Sequence, residues 1–196
     1  MTDRLLTCDE HELGLSWVID EPMQRASHAL ADGGRVWFVD PVDVPEAVSR
    51  AEGLGEVAGV IQLLDRHPRA CEALAGRYGV PHLRLPGALP GTPFDVIAVV
   101  DLPRWREKAL WWRERRALVV AETVGTGPWF GEPAGIHLFL RLLPPGALRD
   151  HDPEHLLVGH GRNVHGAAAK QALDHAYRRS RIDLPKTVAR IPFAFR

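Results

Sequence analysis

Ile61-Gln62-Leu63-Leu64-Asp65-Arg66-His67-Pro68-Arg69-Ala70 joins an apolar run to a helix-forming one, and the fold is read outward from that junction. Val57 to Leu64 has the composition of a buried strand, and Pro68 to Tyr78 that of a helix. The polar side chains of Asp65, His67 and Arg69 therefore stand at the carboxyl end of a strand. Open α/β sheets place their ligand-binding groups at that edge.

Upstream, Leu13 to Ile19 and Ser27 to Leu30 are short strands, and Asp32-Gly33-Gly34 turns the chain into a β-rich run, Arg35 to Val39. Asp40-Pro41 closes it. Val44 to Ala51 is a helix with Asp43 as its N-cap and Pro45 in the first turn, where the missing N–H costs nothing. With Val80 to Leu85 after the second helix, the first half runs β-β-β-α-β-α-β. Downstream, Leu85 to Pro93 is a linker within the domain and Phe94 to Val100 a buried strand. Lys108 to Trp112 and Ala117 to Glu122 form a hairpin across Arg113 to Arg116. The irregular stretch Gly125 to Pro145 carries helical turns at Ile136 to Leu142, with another at Gly146 to Asp150. His155 to Val158 is the last strand, and Gly166 to Arg181 is an amphipathic helix with a basic end suited to a helix C-terminus.

The chain has 196 residues, 45% of them hydrophobic and 25% charged, which suits one domain over residues 1–181 followed by a proline-rich tail, 182–196. A formal net charge of −1 gives no general attraction to nucleic acid or to an anionic membrane. Cys8 and Cys71 make no ligand pair or disulfide framework. The N-terminus lacks an apolar run long enough for a signal peptide or membrane span, so a cytoplasmic setting is expected. Ile191, Phe193 and Phe195 in the tail could dock on their own domain or on a second copy of the chain.

Four landmarks resemble the metallo-β-lactamase superfamily: Val36-Trp37-Phe38-Val39-Asp40-Pro41, the 61–70 segment, Leu118-Val119-Val120-Ala121-Glu122 and Leu156-Leu157-Val158-Gly159-His160-Gly161. The resemblance implies an α/β fold, a four-layer αββα sandwich. It also implies a His-x-His-x-Asp-His ligand pattern, whose four places hold Asp65, His67, Arg69 and Ala70 here. The loop that supplies a third histidine in the family aligns with Asp101 to Arg106, which has none. Glu122 takes the place of the bridging aspartate, and His160 keeps its identity. Working members use two metal ions to activate water. Arg69 cannot ligate a metal, because a guanidinium only donates, and Ala70 offers no ligand atom.

The expectation is therefore a non-catalytic or small-ligand-binding protein without a metal, in which Arg69 replaces the lost cation and pairs with Asp65 or Glu122. Asp40 and Asp101 would orient the site from behind. The alternative is a metal-dependent hydrolase holding one zinc, iron or manganese ion at Asp65, His67, Glu122 and His160. A third reading, nucleic-acid binding, rests on the basic and aromatic residues from Arg104-Trp105-Arg106 to Arg116. Strand alternation accounts for most of that pattern, since Leu110 and Trp112 face one way and Trp111 and Arg113 the other. Trp105, Trp129 and Phe130 are candidate pocket walls. His137, His151, His155 and His165 are expected in surface or capping roles, and Cys71 as a small buried residue.

Overall fold

Successive side chains of a strand point to opposite faces, and in Arg35–Val39 both faces are apolar. The computed structural model describes residues 3–185 and 187, and it sets this strand inside a six-stranded sheet. The sheet comprises β1 (Leu5–His11), β2 (Gly14–Ile19), β3 (Ala26–Asp32), β4 (Arg35–Val39), β5 (Glu56–Gln62) and β6 (His82–Arg84), side by side in chain order. Helices α1 (Pro45–Glu52) and α2 (Cys71–Tyr78) make the crossovers that keep β4, β5 and β6 parallel. Val36 and Phe38 pack with Ala47, Val48, Ala51 and Leu74 under these helices. Trp37 and Val39 face the other way, into the core shared with the second sheet.

That second sheet contains β7 (Asp95–Leu102), β8 (Trp105–Trp112) and β9 (Ala117–Val120). A small ribbon of β10 (Val124–Gly125) and β11 (Gly135–Ile136) lies beside it, and β12 (His155–Val158) and β13 (Val164–His165) complete it in the order β13-β12-β9-β8-β7. Leu110, Leu118, Val120 and Leu157 meet Trp37, Val39 and Ile61 in the central core. Each fully buried side chain of this kind stabilises by about 1.5–3 kcal/mol. Ala169, Ala172, Leu173 and Ala176 of α3 (Ala167–Arg179) cover the outer side. The layers are helix, sheet, sheet, helix, as expected.

Several local expectations change. Leu5–His11 is a strand, although LLTCDEH has no apolar run, because an edge strand half exposed to water needs none. The first half therefore runs β-β-β-β-α-β-α-β. Val44, not Asp43, occupies the N-cap of α1 and makes no side-chain capping bond; the Asp43 carboxylate pairs with Arg77 of α2 instead. The helix after Pro68 starts only at Cys71. Both expected helical turns late in the chain are single 3-10 turns, Leu138–Leu140 and Gly146–Leu148. Beyond α3, the Thr187 N–H donates to Asp183 O at 2.9 Å. Ile191, Phe193 and Phe195 lie outside the described residues. No helix among the described residues is long and apolar enough to cross a membrane.

The two sheets are stitched together at one edge. Lys108 N–H donates to Leu63 O and Ala26 N–H to Gly159 O, both at 2.8 Å. The carboxyl ends of β4, β5, β9 and β12 converge there, and each contributes a polar residue.

Candidate metal centre

Asp40, at the end of β4, adopts φ 42°, a left-handed conformation that a non-glycine residue avoids unless its surroundings impose it. The bend carries its carboxylate inward, where Oδ1 accepts from the Leu63 N–H at 2.9 Å and Oδ2 meets His67 Nδ1 at 3.3 Å. Burial raises the Asp40 pKa to about 6, against the pull of Arg69 and the Leu63 amide, so the group is ionised at neutral pH. An ionised carboxylate only accepts. His67 must then carry its proton on Nδ1.

His160 follows β12 and gives Nδ1 to the carbonyl of Met23 at 2.9 Å, which also fixes its proton there. Both histidines consequently present bare Nε2 lone pairs, and these two atoms are 3.4 Å apart. Two nitrogens 2.0–2.1 Å from one tetrahedral ion are separated by about 3.3–3.4 Å. A proton shared between them is disfavoured. Burial, then Arg69 and Arg66, push the His67 pKa well below its ordinary value, and burial followed by Arg69 takes His160 down to about 3.

Glu122, just after β9, completes the cluster: ligand atoms of His67, Glu122 and His160 all lie within 4.8 Å of one another. Its carboxylate has a competing partner, since Arg66 Nη2 lies 2.5 Å from Oε2. The Arg66 guanidinium also sits over the Trp105 ring, 4.2 Å from its centroid. Burial holds the Glu122 pKa above its ordinary value, with Arg66 pulling against it. His137 Nε2 stands 3.8 Å from the other carboxylate oxygen.

Beneath Glu122 lies a residue that the sequence did not single out. Glu107 is fully buried in β8 and accepts from the backbone N–H groups of Glu122 and Thr123, both at 2.9 Å, and from the Thr123 hydroxyl at 2.8 Å. These bonds fix where Glu122 leaves the sheet. The only outward sign of this role is an acidic residue at an inward-facing position of an alternating strand. Gly159 and Gly161 have a steric reason as well: a Cβ on Gly159 would meet Ala121 O at 2.0 Å, and one on Gly161 would meet Gly127 N at 2.2 Å.

The remaining expected site residues go elsewhere. Arg69, at φ 39°, donates to the carbonyls of Ala26 at 2.5 Å, Asp40 at 2.6 Å and Gly159 at 3.2 Å, pairing with neither Asp65 nor Glu122. It is a clamp between β3, β4 and β12; Arg66 holds the cationic place on Glu122. Asp65 accepts from the backbone N–H of Arg106 at 3.0 Å and is absent from the ligand cluster. Asp101 lies exposed on β7, opposite Arg106, so it does not support the site from behind. Asp40, by contrast, lies against the cluster, with Oδ2 at His67 Nδ1.

No family model matches this sequence, and no curated protein does. Solved structures do. The DIM-1 metallo-β-lactamase exposed to ceftazidime superposes with a TM-score of 0.57 at 12% identity, over 92% of this chain and 99% of that one. This chain has the metallo-β-lactamase fold. A peroxy diiron species of the chemotaxis sensor ODP gives 0.54 at 12% identity, covering 91% and 98%, and TTHA1623 in a di-iron-bound form gives 0.51 at 16%, covering 79% and 96%.

Within this metallo-β-lactamase-fold protein the loop that would bring a third histidine is a tight turn, since Leu102 pairs with Trp105 and leaves only Pro103-Arg104 between strands. The Trp105 ring packs against His137, 4.8 Å between centroids. Trp129 and Phe130 line an apolar groove of about 250 Å³ with Met23, His137, Leu138 and Phe139, as pocket walls should; Trp105 does not. Phe130 also stacks on His160 at 5.8 Å. His137 caps its 3-10 turn as expected, while His155 departs from expectation: it is buried, bonded to His165 at 2.8 Å and paired with Glu12 at 3.0 Å. Cys71 is buried.

Proposed function

We propose that this protein has given up the two-ion hydrolytic centre of its fold and works as a small-ligand-binding protein with one metal position at His67, His160 and Glu122. The facing Nε2 atoms at 3.4 Å carry this reading, because they match the bite of a single tetrahedral ion. Among the described residues a second ion has no comparable set of ligands: Asp65 is engaged by Arg106, Arg69 by three carbonyls, and Ala70 has no donor atom. Asp40 and Met23 O hold the two rings in the tautomer an ion requires. Glu122 becomes available as Arg66 leaves it. When bound, the ion would supply a Lewis-acidic point in a pocket walled by Phe130 and Trp129. Elemental analysis of protein purified without chelator tests the proposal: one zinc, iron or manganese per chain is expected, and either none or two per chain would overturn it.

A second reading, single-ion hydrolysis, is favoured by the composition of the cluster, since two histidines and a glutamate form a known catalytic zinc set that leaves a position for water. Zinc-loaded protein assayed against ester, phosphodiester and β-lactam substrates separates the two. Turnover lost in His160→Ala would establish the second; the absence of turnover supports the first.

A further inference from the structure

Four arginines from three different segments converge on one side of the candidate centre. Arg66 comes from the loop after β5, Arg84 from the end of β6, Arg104 from the turn between β7 and β8, and Arg106 from the start of β8. They line an open cleft of about 720 Å³ in company with only two carboxylates, Asp65 and Asp101. Four positive charges stand against these two negative ones, and Glu122 behind Arg66 makes a third, so the cleft keeps a positive excess in a chain whose total is −1. Small-molecule sites span about 300–1,000 Å³.

Two details mark this as more than a solvated face. The Arg84 and Arg104 guanidiniums have neither ion pair nor hydrogen bond among the described residues, although Asp65 and Asp101 line the same cleft. Arg104 is also held at φ 65° in the two-residue turn, where glycine or asparagine would be unstrained. Backbone strain of this kind costs on the order of 1 kcal/mol and concentrates where a side chain has a task.

We infer that the cleft binds a small molecule carrying a phosphoryl or pyrophosphoryl group, recognised by Arg84, Arg104 and Arg106, with Arg66 at its inner wall. Guanidinium forks match phosphate oxygens in pairs. A phosphoryl group carries about −1.5 to −2 at neutral pH and three acceptor oxygens, so it can engage several guanidiniums where one carboxylate engages fewer. The two aspartates argue against an extended polyanion, whose neighbouring phosphates they would repel. The inference deepens the ligand-binding reading and rests on it; Arg66 is shared with the metal centre through Glu122, but no hydrogen bond or ion pair joins Arg84, Arg104 or Arg106 to His67 or His160 among the described residues.

The test is calorimetric titration of pyrophosphate into the full chain, stripped of metal and dialysed free of chelator. Saturable binding is expected, weakened by salt and reduced about tenfold or more in an Arg84→Gln/Arg104→Gln variant. That variant should melt as the wild type does, because neither guanidinium has a partner to lose among the described residues. Equal affinity in the variant, no binding by the wild type, or tighter binding of a single-stranded oligonucleotide than of pyrophosphate would overturn the inference. Loss of binding in His160→Ala would move the anion to the metal centre and overturn the cleft assignment alone. The one-ion reading stands or falls separately, on the elemental analysis.

Discussion

Nε2 of His67 and Nε2 of His160 face each other across 3.4 Å, with the proton of each ring fixed on its far nitrogen by Asp40 and by the carbonyl of Met23. Two facing lone pairs repel, a cation between the nitrogens relieves that repulsion, and burial disfavours a proton in this place.

Zinc should therefore raise the melting temperature. At a hundredfold excess over its dissociation constant it would stabilise by about 2.7 kcal/mol, or about 5–10 °C for a domain of this size. Differential scanning fluorimetry of wild type and His160→Ala checks this; an equal rise in both would show that zinc binds elsewhere.

Arg66 competes with the ion for Glu122. Arg66→Gln is expected to tighten zinc binding by about tenfold, as measured by competition with a chromophoric chelator. The Arg66 side chain is 42% exposed, so losing its ion pair should cost under about 1 kcal/mol of stability. Weaker zinc binding in this variant would mean that Arg66 supports the centre.

Arg69→Ala should destabilise the fold by about 2–4 kcal/mol, because three buried carbonyls lose a charged donor. Arg69→Lys should fare little better, since one ammonium cannot span the same three acceptors. Urea denaturation midpoints give the answer, and an unshifted midpoint in the alanine variant would remove the clamp from the account.

Acid should unfold the protein through its buried histidines. The His28 pKa is pushed down to about 3 by burial, with His11 and Arg69 adding to it, and the His11 pKa is pushed to about 4. A depressed native pKa gives stability that is complete above the unfolded value of 6.5 and is lost as pH falls through the native one. For His28 the loss at pH 5 is about 2 kcal/mol. Asp40 has the opposite sign, its pKa being raised to about 6, so its contribution is lost as pH rises through that value. With His137 and His160 also depressed, to about 4 and about 3, the histidines prevail. Melting temperature should fall steadily below pH 6.5, and less steeply in His28→Asn, which can still meet Ser16. A flat profile down to pH 4 would contradict this.

The strands that hold the site were legible because they are apolar on both faces: Val36 to Val39, Val60 to Leu64, Leu118 to Val120 and Leu156 to Val158 are buried throughout. Leu5–His11 escaped notice because an edge strand wetted on one side carries no such run. The same limit applies inside the site. Arg66 and Arg69 stand three residues apart in one loop, and sequence alone does not say which of them reaches Glu122. Pro68 and the left-handed backbone at Arg69 decide it, turning Arg69 onto the backbone of β3 and β12. Glu107 stayed hidden for a different reason: its donors, Glu122 and Thr123, lie 15 and 16 residues further along the chain.

Anomalous diffraction from crystals grown with zinc tests the central claim most directly. One peak per chain is expected, bonded to Nε2 of both His67 and His160, with Arg69 still on its three carbonyls. Two adjacent peaks, or a His67–His160 contact that persists with no ion between the rings, would contradict the account.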